Sequence, residues 1–257
     1  MIQGKRGIIF GVANERSYAW YIAKQLLAHG AECAFAFLPV GKMQRRTTRA
    51  ITALGLTDPW LMPCDASKDE DLDALFTKLG EDFCSIDFVV HSIAFADRHY
   101  LQMGNFHKTP RHAWTEALDV SAYTLLAMAQ RAVPLMSNGG GIVSMSYYGG
   151  EKVIPAYNIM GIAKAALEHT TRYLAFELGE KNIRVNTISG GPLRTLAASA
   201  VDGIDEMFEH QKRKAALRRA NTGDEVGNAA VYLLSDLASG VTGETIHVDA
   251  GFSIVGM

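Results

Sequence analysis

The sequence predicts an α/β fold in which a doubly wound parallel sheet is covered by helices on both faces. Three observations lead there. Short runs such as Gly7-Ile8-Ile9-Phe10, Phe88-Val89-Val90 and Gly141-Ile142-Val143 are free of polar side chains. Strands buried on both faces read that way, whereas a half-solvated strand alternates. Longer segments with apolar residues three and four apart separate these runs, the pattern of helices laid on a sheet. The 257 residues hold 48% hydrophobic side chains and contain no repeat, low-complexity stretch or Pro/Ser-rich linker. Residues 1–257 are therefore expected to form a single domain.

Taken in order, the first strand covers 7–10. The helix after it covers 18–29 and stops at Gly30, a residue suited to the left-handed turn that ends many helices. A second strand over 33–38 leads to a polar, basic helix over 43–54, and a third over 60–64 ends at Asp65. Residues 67–83 place Leu72, Leu75, Phe76 and Leu79 on one helical face. A fourth strand opens at 88–90 and a fifth covers 141–145, with a long helix inside 110–136 between them. A further long helix is expected over 158–180, a sixth strand over 184–188, a helix over 226–237 and a last strand over 245–248. This is a Rossmann-like order, and such sheets bind ligands at the carboxyl ends of their strands.

Bulk composition narrows the chemistry. A net charge of −2 leaves no basic footprint for nucleic acid or an anionic membrane. No apolar run reaches the roughly 20 residues that cross a bilayer, and the first residues enter a strand without a signal-peptide layout. The three cysteines, Cys33, Cys64 and Cys84, include no CxxC pair and read as small buried hydrophobes in a reducing cytoplasm. The eight histidines form neither HExxH nor a Cys/His cluster, so no metal site is expected.

After the first strand comes Gly11-Val12-Ala13-Asn14-Glu15-Arg16-Ser17-Tyr18-Ala19, which is not GxGxxG. Gly11 can supply a tight turn, Ala13 permits close backbone approach, and Ser17 stands where the helix begins. Free N–H groups and a hydroxyl there suit a pyrophosphate, or Ser17 is an ordinary N-cap. Asp65 either receives an adenine amino group or caps the following helix. The second strand ends in Leu38-Pro39 and offers no carboxylate for an adenosine ribose, which weakens the usual NAD signal. Lys42, Arg45 and Arg46 could meet a 2′-phosphate or form a solvated helix face, so NADH and NADPH both stay open.

The stretch 146–164 carries the chemistry. Tyr157 and Lys164 are seven apart, nearly two helical turns, and return to one face about 10 Å along. A buried lysine beside a tyrosine is expected to lower the phenol's pKa and can hold a cofactor ribose. Such a phenol can donate to an oxygen that gains negative charge. The other reading makes Tyr157 a helix cap and Lys164 an outward-pointing side chain.

Short-chain dehydrogenases usually carry Tyr-x3-Lys, an Asn-Asn-Ala-Gly turn after the fourth strand, and a serine before the tyrosine. Here Gly161 stands where that lysine would be, and His91-Ser92-Ile93-Ala94 forms the turn. With Tyr-x6-Lys, a second tyrosine ten residues upstream (Tyr147) and the divergent Gly11 loop, the chain resembles the bacterial enoyl-acyl-carrier-protein reductases. The likeness extends over 11–23, 64–65, 91–96, 146–164, 184–198 and 247–257, nearly the whole chain. It implies that Tyr157 hydrogen-bonds a thioester carbonyl, that Lys164 holds the nicotinamide ribose, and that Tyr147 lines the acyl site, relaying a proton or merely packing. Ala96 and Met160 would join Tyr147 and Tyr157 around the acyl group. Gly11, Ala13, Ser17 and Tyr18 would meet the pyrophosphate side, Asp65 and Ala66 the adenine, and Ser92 and Ile93 the cofactor's middle. Gly191, Pro192, Leu193, Thr195, Leu196 and Ala197 would close over the nicotinamide. The small-residue segment 190–208 reads as a substrate lid, or as a plain loop and short helix. Ile204, Met207 and Phe208 could line an acyl tunnel or belong to a core. The resemblance further implies a homotetramer, acting on an acyl thioester carried by acyl carrier protein.

Departures from the family pattern leave some choices open. Asp202, Asp205 and Glu206 stand where many relatives have basic residues thought to greet the carrier, and basic residues follow at 212–214 and 218–219. Either docking uses another surface, or coenzyme A thioesters serve instead. Ala94 replaces a common glycine, and Leu38 a polar residue. The rival reading is a ketone or alcohol dehydrogenase, supported by Ser144 thirteen residues before Tyr157 and opposed by the missing Tyr-x3-Lys. A cofactor-binding sensor without turnover is the third.

Overall fold

The computed structural model describes residues 2–193 and 204–256, with the main chain alone for 204–207. Among the described residues, the strands β1 (Arg6–Phe10), β2 (Glu32–Phe37), β3 (Leu61–Pro63), β4 (Phe88–His91), β5 (Gly140–Ser146), β6 (Ile183–Gly190) and β7 (Thr245–Val248) form one sheet. Their order is β3-β2-β1-β4-β5-β6-β7, and every pairing is parallel. The direction of travel reverses at β1 and β4. At such a switch point the connections leave on opposite faces and open a crevice.

The apolar runs work as expected. Along β1, Ile8 and Phe10 enter the core that α3 (Asp69–Phe83), α5 (Thr124–Ala132) and α6 (Asn158–Leu178) close, while Ile9 enters the core under α1 (Tyr18–Ala28), α2 (Met43–Thr52) and α8 (Gly223–Leu234). Both faces are buried, so neither set of alternating positions can be polar. The α1–α8 contact is close because Gly223 and Gly227 stand where a Cβ would run into Tyr21. Lys24 Nζ and Gln25 Nε2 both reach Asp224 Oδ1, at 2.7 and 2.8 Å.

Two expectations are revised. The long helix inside 110–136 is broken: α4 (Arg111–Leu118) passes through a five-residue π turn, Asp119–Tyr123, before α5. There Ser121 Oγ accepts from Phe95 N at 3.0 Å and donates to Phe95 O at 3.1 Å, stapling the segment after β4 to the helix. The helix expected over 226–237 starts earlier, because Thr222 and Glu225 form a capping box. Thr222 Oγ1 accepts from Glu225 N at 3.3 Å, and Thr222 N donates to Glu225 Oε2 at 2.7 Å. A helix, α7 (Ile204–Lys214), starts inside the segment read as a lid or as a plain loop and short helix.

Candidate active site

A cleft of about 880 Å³ runs across the carboxyl ends of the strands. Its first end is made by the β1–α1 turn. Gly11 has φ +100°, and a Cβ there would collide with the Ser92 carbonyl, so the crossing of β1 and β4 requires glycine. Ala13, Ser17 and Tyr18 line this end. Ser17 occupies the N-cap position of α1, yet its hydroxyl donates to Asn14 O at 2.8 Å and caps nothing. The main-chain N–H groups of the first turn are therefore not covered by it, as an anion site needs.

Further along lie Asp65 and Ala66 after β3, and Ser92, Ile93 and Ala96 after β4. Asp65 is committed to its own turn: Oδ1 accepts from Ser67 Oγ at 2.7 Å and Ser67 N at 3.2 Å. Met43 and Thr47 of α2 face the cleft, and Thr47 Oγ1 donates to Val12 O at 2.8 Å. Lys42 and Arg45 instead line an adjoining groove with Glu15 and Arg49, and Arg46 borders neither cavity.

The other end holds the chemistry. Tyr147, Tyr157, Met160 and Lys164 line it together. The rings of Tyr147 and Tyr157 meet edge-on, with centroids 4.9 Å apart at 73°. Two glycines make room for this pair. A Cβ on Gly149 would strike the Tyr157 ring, and one on Gly161 would lie 2.7 Å from Gly149 O. Tyr157 sits between Ala156 (φ +62°) and Asn158 (φ +44°), a local strain held by the Asn158 amide, which donates to Tyr100 O at 2.8 Å and Gln102 O at 3.0 Å. Lys164 is buried, and its Nζ donates to Met145 O at 2.7 Å. Among the described residues no other acceptor binds it, so further donors remain for a ligand.

Burial sets the protonation states. It pushes Lys164 down to about 8, opposed by the Glu168 charge, so the ammonium persists at neutral pH. The Tyr157 phenol is pushed up, first by burial and then by Tyr147 and Glu168; Tyr147 is pushed up to about 12 by burial. The expected lowering of the phenol by its lysine is absent: burial, Tyr147 and Glu168 all raise it. Tyr157 is a neutral donor.

Gly191, Pro192 and Leu193 close this end after β6. The Tyr18 hydroxyl donates to the Gly191 carbonyl and accepts from Asn221 Nδ2 at 3.3 Å. A Cβ on Gly191 would run into Asn221 and Gln211. Thr195, Leu196 and Ala197 lie outside the described residues, as do the side chains of Ile204 and Met207; Phe208 is buried. Ser144, which favoured a ketone reductase, does not line the cleft. It is fully buried, its hydroxyl 2.7 Å from Thr187 Oγ1 and 3.4 Å from Thr171 Oγ1. Sequence reading missed Thr47, Phe95, Arg98 and Leu101 as lining residues, and Asn221 as a brace. No local spacing marks any of them; the fold alone brings them in.

Known proteins match this chain over nearly its whole length. The family model described as enoyl-(acyl carrier protein) reductase matches residues 11–253. This chain belongs to that family. The NADH enoyl-[acyl-carrier-protein] reductase FabI of Synechocystis sp. is 47% identical over 258 residues, covering 100% of this chain and 99% of the relative. Among solved structures, the Anaplasma phagocytophilum enzyme in complex with NAD is 46% identical, with a TM-score of 0.94 over 100% of this chain and 96% of that one. The Bacillus cereus enzyme with NADP+ and an indole naphthyridinone is 44% identical, with a TM-score of 0.95 over 100% and 99%. The reductase family thus shares both the Rossmann-like fold and the length of this chain.

Proposed function

We propose that this protein reduces the 2,3 double bond of trans-2-enoyl thioesters on acyl carrier protein, with NADH, in type II fatty-acid synthesis. The observation that carries the reading is the convergence of Tyr157 and Lys164, seven residues apart, on one cleft at the carboxyl ends of the strands. The donor set fits a dinucleotide: an uncovered helix start at one end, and at the other a buried ammonium with a single protein acceptor. NADH is favoured because Lys42 and Arg45 line a separate groove, leaving Leu38 and Thr47 at the adenosine end, and because several relatives are named as NADH enzymes. Gly11, Ala13, Ser17 and Tyr18 would hold its pyrophosphate side, Asp65 and Ala66 its adenine, Ser92 and Ile93 its middle, and Gly191, Pro192 and Leu193 its nicotinamide. Thr195, Leu196 and Ala197 complete that last set in the proposal.

When bound, NADH supplies the hydride that the β-carbon of the enoyl chain accepts. Negative charge then develops on the thioester oxygen. Tyr157, neutral and buried, donates to that oxygen and stabilises the enolate until the α-carbon is protonated. Lys164 holds the ribose hydroxyls and so fixes the distance of transfer. Tyr147, Ala96 and Met160 pack around the acyl group.

No helix among the described residues is long and apolar enough to cross a membrane; the cysteines are unpaired, Cys33 and Cys64 buried as expected but Cys84 exposed; the reading places the enzyme in the cytoplasm. It is a homotetramer in this proposal. Ile162, His169, Tyr173 and Phe176 stand on one face of α6 at spacings of seven, four and three; Tyr173 and Phe176 are 65% and 86% exposed. An apolar stripe of that kind is suited to self-association.

The test is loss of reduced-nicotinamide absorbance with crotonyl and acetoacetyl thioesters in parallel. Turnover of crotonyl alone is expected. Turnover of acetoacetyl alone would establish the ketone reductase instead, and no turnover of either would leave a binding protein. Carrier-bound crotonyl should exceed the coenzyme A thioester in kcat/KM.

A further inference from the structure

Glu168 is a buried carboxyl to which the mechanism above gives no task. It sits on α6 one turn beyond Lys164, on the same inward face, with 3% of the residue exposed. A carboxylate taken out of water is costly unless its surroundings receive it. These do. Ser146 Oγ donates to Glu168 Oε1, and Gly150 leaves the volume, because a Cβ there would lie 2.7 Å from Oε1 and 3.2 Å from Cδ. Lys164 is in turn tied to the carbonyl of Met145, the residue next to Ser146. Anion and cation are thus held by consecutive residues at the end of β5 and by consecutive turns of one helix.

We infer that Glu168 is a positioning residue, the counter-charge that keeps the Lys164 ammonium charged and aimed at the cofactor ribose. The inference rests on the reductase reading, which gives Lys164 that ribose. Charged and titratable groups bear on the pair from several elements. His91 on β4 lies in the field of Lys164 and is held neutral by burial and by that ammonium. Tyr157, at the start of α6, feels Glu168. Burial raises the Glu168 carboxyl, the Ser146 hydrogen bond opposes that rise, and Glu151 in the β5–α6 connection, Arg172 on α6 and His247 on β7 act on it further. Glu151 Oε1 and His247 Nε2 are 2.7 Å apart. Burial depresses the Lys164 ammonium to about 8, and Glu168 is the charge that resists the fall.

The experiment is a fluorescence titration of the whole protein with NADH across the range in which a depressed lysine deprotonates. In the native protein, affinity declines on the alkaline side as Lys164 loses its proton. E168Q keeps the shape and an acceptor for Ser146, and its alkaline limb is expected to move down by about one pH unit, the lower end of the effect of one nearby opposite charge. E168D moves the limb back towards the native position. With K164R, whose guanidinium stays charged, adding E168Q moves nothing. Should E168Q not fold, S146A is expected to give the same downward movement, because Glu168 then loses the donor that favours its charged form. A limb that stays in place in the folded variant overturns the inference, as does a shift that persists beside K164R. Absence of NADH binding by the native protein at every pH would strike the reductase reading itself.

Discussion

In the proposed reaction the Tyr157 hydroxyl works by staying protonated. Burial holds its pKa above the ordinary phenol range, so it is a donor at neutral pH. Tyr157→Phe is therefore expected to lower kcat about a hundredfold, the scale of losing one donor to a developing oxyanion. NADH affinity should stay nearly constant, which steady-state kinetics and cofactor titration would establish together. His91 behaves in the opposite sense. Its Nε2 lies 2.8 Å from Thr124 Oγ1, and burial with the Lys164 charge drives it down to about 3. The unfolded chain takes up a proton near pH 6.5 and the folded one does not. Its contribution to stability is therefore complete above 6.5 and declines as pH falls towards about 3, at about 1.4 kcal/mol per pH unit. Thermal melts should show that slope, and His91→Gln should flatten it if the substituted protein folds. The tyrosine–lysine pair is legible in the sequence because a helix converts a spacing of seven into a shared face. The direction of the Tyr157 shift is not legible, since it depends on how much water reaches the ring.

The start of α6 is shaped by small residues more than by its aromatic ones. Gly149 lies against the Tyr157 ring, and Gly161 lies against Gly149. Gly149→Ala should push that ring from its seat and lower kcat at least tenfold, with little change in NADH binding; the same kinetics and titration test it. A comparable loss of both would mean that the connection had collapsed rather than the ring moved. Most elements were legible from apolar period, because a sheet buried on both faces leaves continuous apolar strands. The break in the helix around Asp119–Tyr123 was not. It is stabilised by Ser121 reaching Phe95, a contact between segments 26 residues apart, and period carries no mark of it. The earlier start of α8 was available in Thr222-x-x-Glu225, a capping signal that the apolar pattern overshadowed.

At the scale of the whole molecule, the exposed stripe on α6 argues for assembly. Phe176→Glu is expected to shift the light-scattering mass towards smaller species, because a carboxylate would have to be buried in any interface formed by that face. The brace at Tyr18 has another consequence. It joins the first helix to Gly191 and Asn221, 173 and 203 residues away, while Lys24 reaches Asp224 across 200. Such separations are slow to close and cannot close early. On the ribosome, the β1–α1 end of the cleft is made first but stays unbraced until the last strands have nearly emerged. A nascent chain arrested after β6 should consequently retain no NADH, however well its leading half has collapsed.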